Sequence, residues 1–151
     1  VILIIGTSWI FLEPRRKGTL IEIETMLQNK PAGKTNLQVI CCYDEKVFST
    51  FYLRDILSMM NMHEHVLKRK GNYEELSRDE ILSIVSNGID KVLGRGASHL
   101  VFKTMHLVYK IDKDSTFAEP ALFEEKLSRI IGNSYPAVLA SIQSEMINSL
   151  L

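Results

Sequence analysis

The chain has 151 residues and a mass of 17.2 kDa, with 46% hydrophobic and 24% charged residues and eighteen basic side chains against eighteen acidic ones. That composition is globular rather than disordered, and its zero formal charge gives no net pull toward nucleic acid or an anionic membrane. Residues 1–73 carry ten basic and seven acidic groups and the rest eight and eleven, a mild asymmetry of opposite sign between the two halves.

Val1–Ile5 is an uninterrupted apolar, β-branched run that continues past Gly6 to Trp9 and Phe11. Continuous apolarity predicts a strand buried on both faces, as in a parallel α/β sheet. Pro14 to Gly18 breaks the run, and Thr19 is placed to cap a helix through Leu27. In that helix Leu20, Ile23 and Leu27 share one face and Glu22 and Thr25 lie opposite. A second strand is predicted over Leu37–Tyr43, ending at Asp44, and a second helix over about 49–68 with Phe51, Leu53, Ile56, Leu57 and Met60 inward. Strand, helix, strand, helix is the order of a parallel βαβ unit. Two strands make a small sheet, and the chain opens with a strand already under way. The rest of the sheet is therefore expected to be either cut away or supplied by another chain.

Beyond Gly71 the pattern changes to helices alone. Ser77 and Glu80 have the spacing of a capping box: the hydroxyl takes the N3 amide and the carboxylate reaches back to the cap. Ile81, Ile84, Val85, Ile89 and Val92 follow at helical spacing until Gly94. Leu100, Val101, Met105, Val108 and Ile111 predict a second helix. Pro120 opens a third, with Phe123, Leu127 and Ile130 apolar, that Gly132 ends. Ser134 caps a fourth, with Val138, Leu139, Ile142, Met146 and Leu150 in one stripe. The fold class expected is α/β plus all-α, a partial parallel βαβα unit over 1–73 followed by a small four-helix bundle over 74–151.

Motifs of catalysis fail in turn. Gly33-Lys34-Thr35 ends like a phosphate loop, but position 28 is Gln, and a helix precedes where a strand is required. Gly94-Arg95-Gly96 begins like a dinucleotide fingerprint, but His99 holds the third glycine position, so a helix–helix turn is expected. His63 and His65 diverge by about 200° on a helix and lack further ligands at metal-binding spacing. His99 follows Ser98 as in phosphoacceptor helices, without the acid and proline such helices place next. No enzyme activity, metal or cofactor is expected. No basic stripe with interleaved aromatics points to nucleic acid.

Cys41 and Cys42 are adjacent, and neighbouring strand residues point to opposite faces, so no disulfide between them is expected. Unpaired thiols fit a reducing compartment. The longest apolar run falls short of the roughly 18–20 residues of a membrane span. A cytoplasmic protein is the resulting expectation.

Several residues of the first half carry a resemblance. Gly6-Thr7-Ser8-Trp9, Leu20 to Glu24, Val39 to Asp44, then His63 and Val66-Leu67 resemble the closing portion of the methanogen/methylotroph sensory domain family. Those domains are RecA-like α/β modules that sense small organic compounds and control transcription or signalling. Trp9, Glu24, Cys41, Tyr43, Asp44 and His63 keep the family pattern, whereas Ile23 stands where Tyr is expected and Glu64 where Pro is. More faintly, Leu93-Gly94, Phe123 to Leu127 and Ile131-Gly132 resemble helical output-type domains attached to such sensors in ammonia-oxidising archaea.

The resemblance implies a sensory protein that takes a small organic ligand at Trp9, Glu24, Cys41, Tyr43, Asp44 and His63 and signals through its helices. The chemistry agrees, since an aromatic floor with one carboxylate suits a small molecule at the carboxyl ends of parallel strands. On the plainer alternative Trp9 is a core aromatic, Asp44 caps the next helix, and the chain is a structural or dimerisation module with no ligand. A strand as apolar as Val1–Ile5 does not suit a solvated sheet edge, so a homodimer is expected, paired through the sheet or through the stripes of the C-terminal helices.

Overall fold

The computed structural model describes residues 2–6, 22–23, 25–26, 38–42, 50–68 and 73–150. The architecture is mixed and helix-rich, and the chain separates into two compact units, residues 1–47 and 48–151. This division falls earlier than the 73/74 boundary expected between domains, because the helix after residue 50 packs with the C-terminal helices.

In the first unit, β1 (Ile2–Gly6) pairs parallel with β2 (Gln38–Cys42), in a register that runs from Ile2 opposite Gln38 to Gly6 opposite Cys42. Parallel neighbours need a long crossover, and residues 22, 23, 25 and 26 of that crossover are helical. Glu22 and Thr25 are exposed and Ile23 half-buried, as the expected helix face requires. β2 is not covered on both faces: Ile40 is 48% exposed and Cys42 exposed, with Cys41 half-buried between them.

The second unit opens with α1 (Leu53–Met62), whose buried face carries Leu53, Ile56, Leu57, Met59 and Met60. The helix expected to run to about residue 68 stops at Met62. His63 turns extended there, its N–H donating to the Met59 carbonyl at 3.2 Å and its Nδ1 lying 2.9 Å from the same oxygen. The chain then makes a hairpin of β3 (Leu67–Lys68) and β4 (Glu74–Glu75). Lys68 fastens this hairpin to the next helix, with its ammonium 2.6 Å from Glu80 and 3.6 Å from Glu74. A strand in place of the last helical turns was hidden in the sequence because two residues are too few to show a period of two.

Four helices then follow much where the periodicity puts them: α2 (Arg78–Leu93), α3 (Ala97–Tyr109) and, after a short helix α4 (Lys113–Ala118), α5 (Pro120–Ile131) and α6 (Tyr135–Leu150). A unit of four helices is nonetheless too simple. α4, capped by the Asp112 carboxylate on the Ser115 N–H at 2.8 Å, buries Thr116 and Phe117. α1 covers its own apolar face against α4 and α5.

α2 starts on the predicted capping box, with the Glu80 N–H on Ser77 Oγ at 3.2 Å and the Ser77 N–H on Glu80 at 2.9 Å. It lies along α6, and Gly88 marks their closest approach. A Cβ there would stand 2.5 Å from Ile142 Cγ1 and 3.1 Å from the Ile142 backbone nitrogen. The Gly94–Gly96 segment is the expected helix–helix turn, both glycines having positive φ (98° and 87°), a region that costs other residues steric strain.

Two stability measurements check this packing. Ser77→Ala should lower stability by about 0.5–2 kcal/mol through loss of the cap, read as a shift in urea midpoint at unchanged slope. Gly88→Ala gains about 1 kcal/mol of helix propensity but overpacks against backbone, which typically costs about 1–3 kcal/mol. A net loss of stability is expected.

Candidate functional site

Of the six residues expected to hold a ligand, Trp9, Glu24, Tyr43 and Asp44 lie outside the described residues, as does the Gly33-Lys34-Thr35 turn. Cys41 is described as half-buried near the end of β2, and His63 as the residue that ends α1. They belong to different compact units. The register of β1 and β2 brings both strands to an end at the same edge, Gly6 beside Cys42, and the residues that follow are those expected to line a ligand.

Among the described residues no group of three His, Cys, Asp or Glu side chains is arranged to hold a metal. His65, expected as no ligand, lies 3.0 Å from Glu75, and the Glu75 carboxylate raises its pKa from the usual imidazole value. His99 is exposed on α3 while its neighbour Ser98 is buried, the Ser98 N–H donating to the Asp90 carboxylate at 2.7 Å. That hydrogen bond holds the Asp90 pKa below the usual carboxylate range.

Two features of the helical unit escape the sequence reading. The first is a buried carboxylate. Glu124 on α5 is 6% exposed, and it accepts the Leu53 N–H at 3.2 Å, the Tyr135 hydroxyl, and the Arg54 guanidinium at 3.4 Å. Three chain segments meet on one side chain. A buried carboxylate is costly unless hydrogen-bonded and paired, and a negative group at the start of α1 also suits the helix dipole. Burial, with the hydrogen bond to Glu124 next, pushes the Tyr135 hydroxyl well above the usual phenol value. The neighbouring Gln143 amide donates to the Phe51 carbonyl at 2.7 Å and fixes the same entry segment from α6.

The second feature is the outward face of α3. Its inner face buries Ser98, Val101 and Met105, yet Leu100, Leu107 and Val108 are 66%, 55% and 65% exposed. Leu100 and Val108 were expected inside with Val101 and Met105, and Val92 with the core of α2. The structure moves all three outward, Val92 being 38% exposed. At about 100° per residue, Leu100 and Leu107 fall within about 20° of each other, while Val101 and Met105 lie roughly 100–140° away from Leu100. The signal was available as adjacency, since Leu100 and Val101 cannot share one face of a helix.

No helix of the described residues is long and apolar enough to cross a membrane. No family model matches the chain, and neither a curated protein nor a solved structure does.

The state of Tyr135 gives a pH test. Its raised pKa favours the neutral phenol in the folded state, so its stabilisation is complete below the unfolded phenol value of about 10. It is lost as pH rises above that value. Tyr135 should therefore resist ionisation, followed by tyrosinate absorbance at 295 nm, until alkaline unfolding releases it. Tyr135→Phe should abolish that delayed step and lower stability by about 1.5–3 kcal/mol through loss of a hydrogen bond to a charged group, the Leu53 N–H remaining on the same Glu124 oxygen.

Proposed function

We propose that this chain is a non-catalytic regulatory protein in which a RecA-like α/β sensory unit, the part carrying β1 and β2, takes a small organic ligand, and the helical unit that follows passes the signal on. Apart from the family resemblance in the first half, one observation supports this reading: the parallel pairing of β1 and β2 that ends Gly6 and Cys42 at the same edge. Ligands of parallel α/β sheets sit beyond the carboxyl ends of the strands. Trp9, Tyr43 and Asp44 follow those ends within three residues. Trp9 and Tyr43 would supply the apolar floor and Asp44 the one charge, with Glu24 and Cys41 as further candidates.

The reading includes a homodimer formed by strand addition at the sheet of β1 and β2, with an interface above about 1,000 Å² in total. A second reading, a structural or dimerisation module without a ligand, draws on the exposed aliphatic row of α3. Native mass spectrometry of the purified protein separates the two. A dimer of 17.2 kDa chains carrying a bound small-molecule mass, lost in Trp9→Ala with Asp44→Asn, is the expected result. A bare dimer favours the second reading, and a bare monomer counts against both.

A further inference from the structure

The aliphatic row of α3 has a border of one charge. No acidic residue occurs between Lys91 and Ile111, a stretch that includes Arg95, Lys103 and Lys110. On the helix, Lys103 lies about 60° and His106 about 120° to the same side of Leu100, and both are exposed. Lys110 closes the helix in a left-handed conformation (φ 59°), its ammonium folded back to the Leu107 carbonyl at 3.0 Å. The nearest acids of the packed elements are engaged elsewhere: Asp90 accepts the Ser98 N–H, Glu145 pairs with Lys91, and Glu125 pairs with Lys126 and Arg129. The exposed face is thus an apolar row with a basic edge at Lys103 and Lys110, about 20 Å long for thirteen residues.

We propose that this face of α3 docks an acidic amphipathic helix of a partner protein, whose apolar row packs on Leu100 and Leu107 while its carboxylates face Lys103 and Lys110. Apolar anchors at helical spacing with complementary charge beside them are how a helix is recognised on a helical surface.

A second copy matches the apolar row but not its charge. A two-fold contact sets the same patch against itself, so Lys103 and Lys110 would face either each other or an uncharged edge, since residues 91–111 contain no carboxylate. A flat anionic surface fits poorly as well, because Asp112 and Asp114 follow directly after Lys110 and are exposed. Asp112 is close enough to His106 to feel its charge. A narrow acidic rod avoids those carboxylates where an extended plane meets them. The inference takes its role from the reading of these helices as an output unit, but binding here requires no small-molecule ligand.

The probe is a fluorescent synthetic helix with leucines at heptad positions a and d and glutamates at e and g, compared by anisotropy with its isomer carrying lysines instead. The full chain should bind the glutamate peptide at least about tenfold more tightly than the lysine peptide, with affinity falling as salt rises. Leu107→Ser should weaken binding about tenfold. Lys103→Glu should weaken it at least about fivefold and shift preference toward the lysine peptide. Both substitutions are at exposed positions, and unchanged urea midpoints confirm that folding is intact.

Equal binding of the two peptides, or of neither, overturns the proposal. So does co-sedimentation with vesicles containing phosphatidylserine that is lost in Leu107→Ser while the peptide fails to bind. A dimer that Leu107→Ser dissociates also overturns it, since the face would then serve a second copy. Because the assay contains no small molecule, its failure leaves ligand sensing at the first unit standing, and a bare first unit leaves this surface standing.

Discussion

Burial of the Glu124 carboxylate is the constraint on which the helical unit turns. A charge removed from water has to be satisfied locally, and the groups that satisfy it come from α1, through the Leu53 N–H and the Arg54 guanidinium, and from the Tyr135 end of α6. The bond to the Leu53 N–H satisfies one open donor in the first turn of α1, beside the local cap in which Asp55 accepts the Tyr52 N–H at 3.0 Å. The start of α1 is thus tied to a residue 71 positions away in sequence as well as capped locally. The register of α1 against α5 follows from that single acceptor, and the burial of Leu53, Ile56 and Leu57 follows from the register.

The helix starts show what the sequence could and could not reveal. Ser77 with Glu80 is a local cap, both partners sitting within three residues, and it is readable in one dimension. Asp112 with Ser115 is equally local, though the helix it caps is only six residues long and has no apolar period to announce it. Asp90 reaching the Ser98 N–H bridges a turn, and Glu124 reaching Leu53 bridges most of the unit. The longer the loop between acceptor and donor, the less the sequence says. The Glu124 position reads simply as one charged residue beside Phe123 and Leu127. For the same reason the early end of α1 was missed, since the β3–β4 hairpin is held by Lys68 between Glu74 and Glu80 rather than by a pattern within the strands.

The candidate ligand residues were legible only through resemblance. Trp9, Tyr43 and Asp44 have no spacing that demands a site, and they become interesting only as residues that follow parallel strands. The pairing of β1 with β2 is the physical part of that argument, and continuous apolar, β-branched composition was enough to anticipate it. What composition could not anticipate is the exposure of Ile40 and Cys42, because an apolar run reads the same whether one face or two is covered.

The two features the sequence hid are mechanically joined. Phe102 on the inner side of α3 stacks against Phe123 at 6.2 Å and 24°, one residue from Glu124. The Lys126 ammonium lies 5.5 Å over the Tyr109 ring, so α3 is fixed to α5 near both its middle and its end. Stacked aromatic rings and a cation over a ring are directional contacts, and they set the rotation of α3 about its own axis. With Val101 and Met105 turned inward, that rotation leaves Leu100 and Leu107 no position but outward. Filling the core from the other side of α3 would require Leu100 and Val101 to exchange places, a turn of about 100° that breaks both aromatic contacts. The exposed row is thus held in place by the same helix that carries the buried carboxylate. A change that loosens Glu124 and α5 reaches the surface of α3 through Phe123 and Phe102, without any residue of that surface being altered.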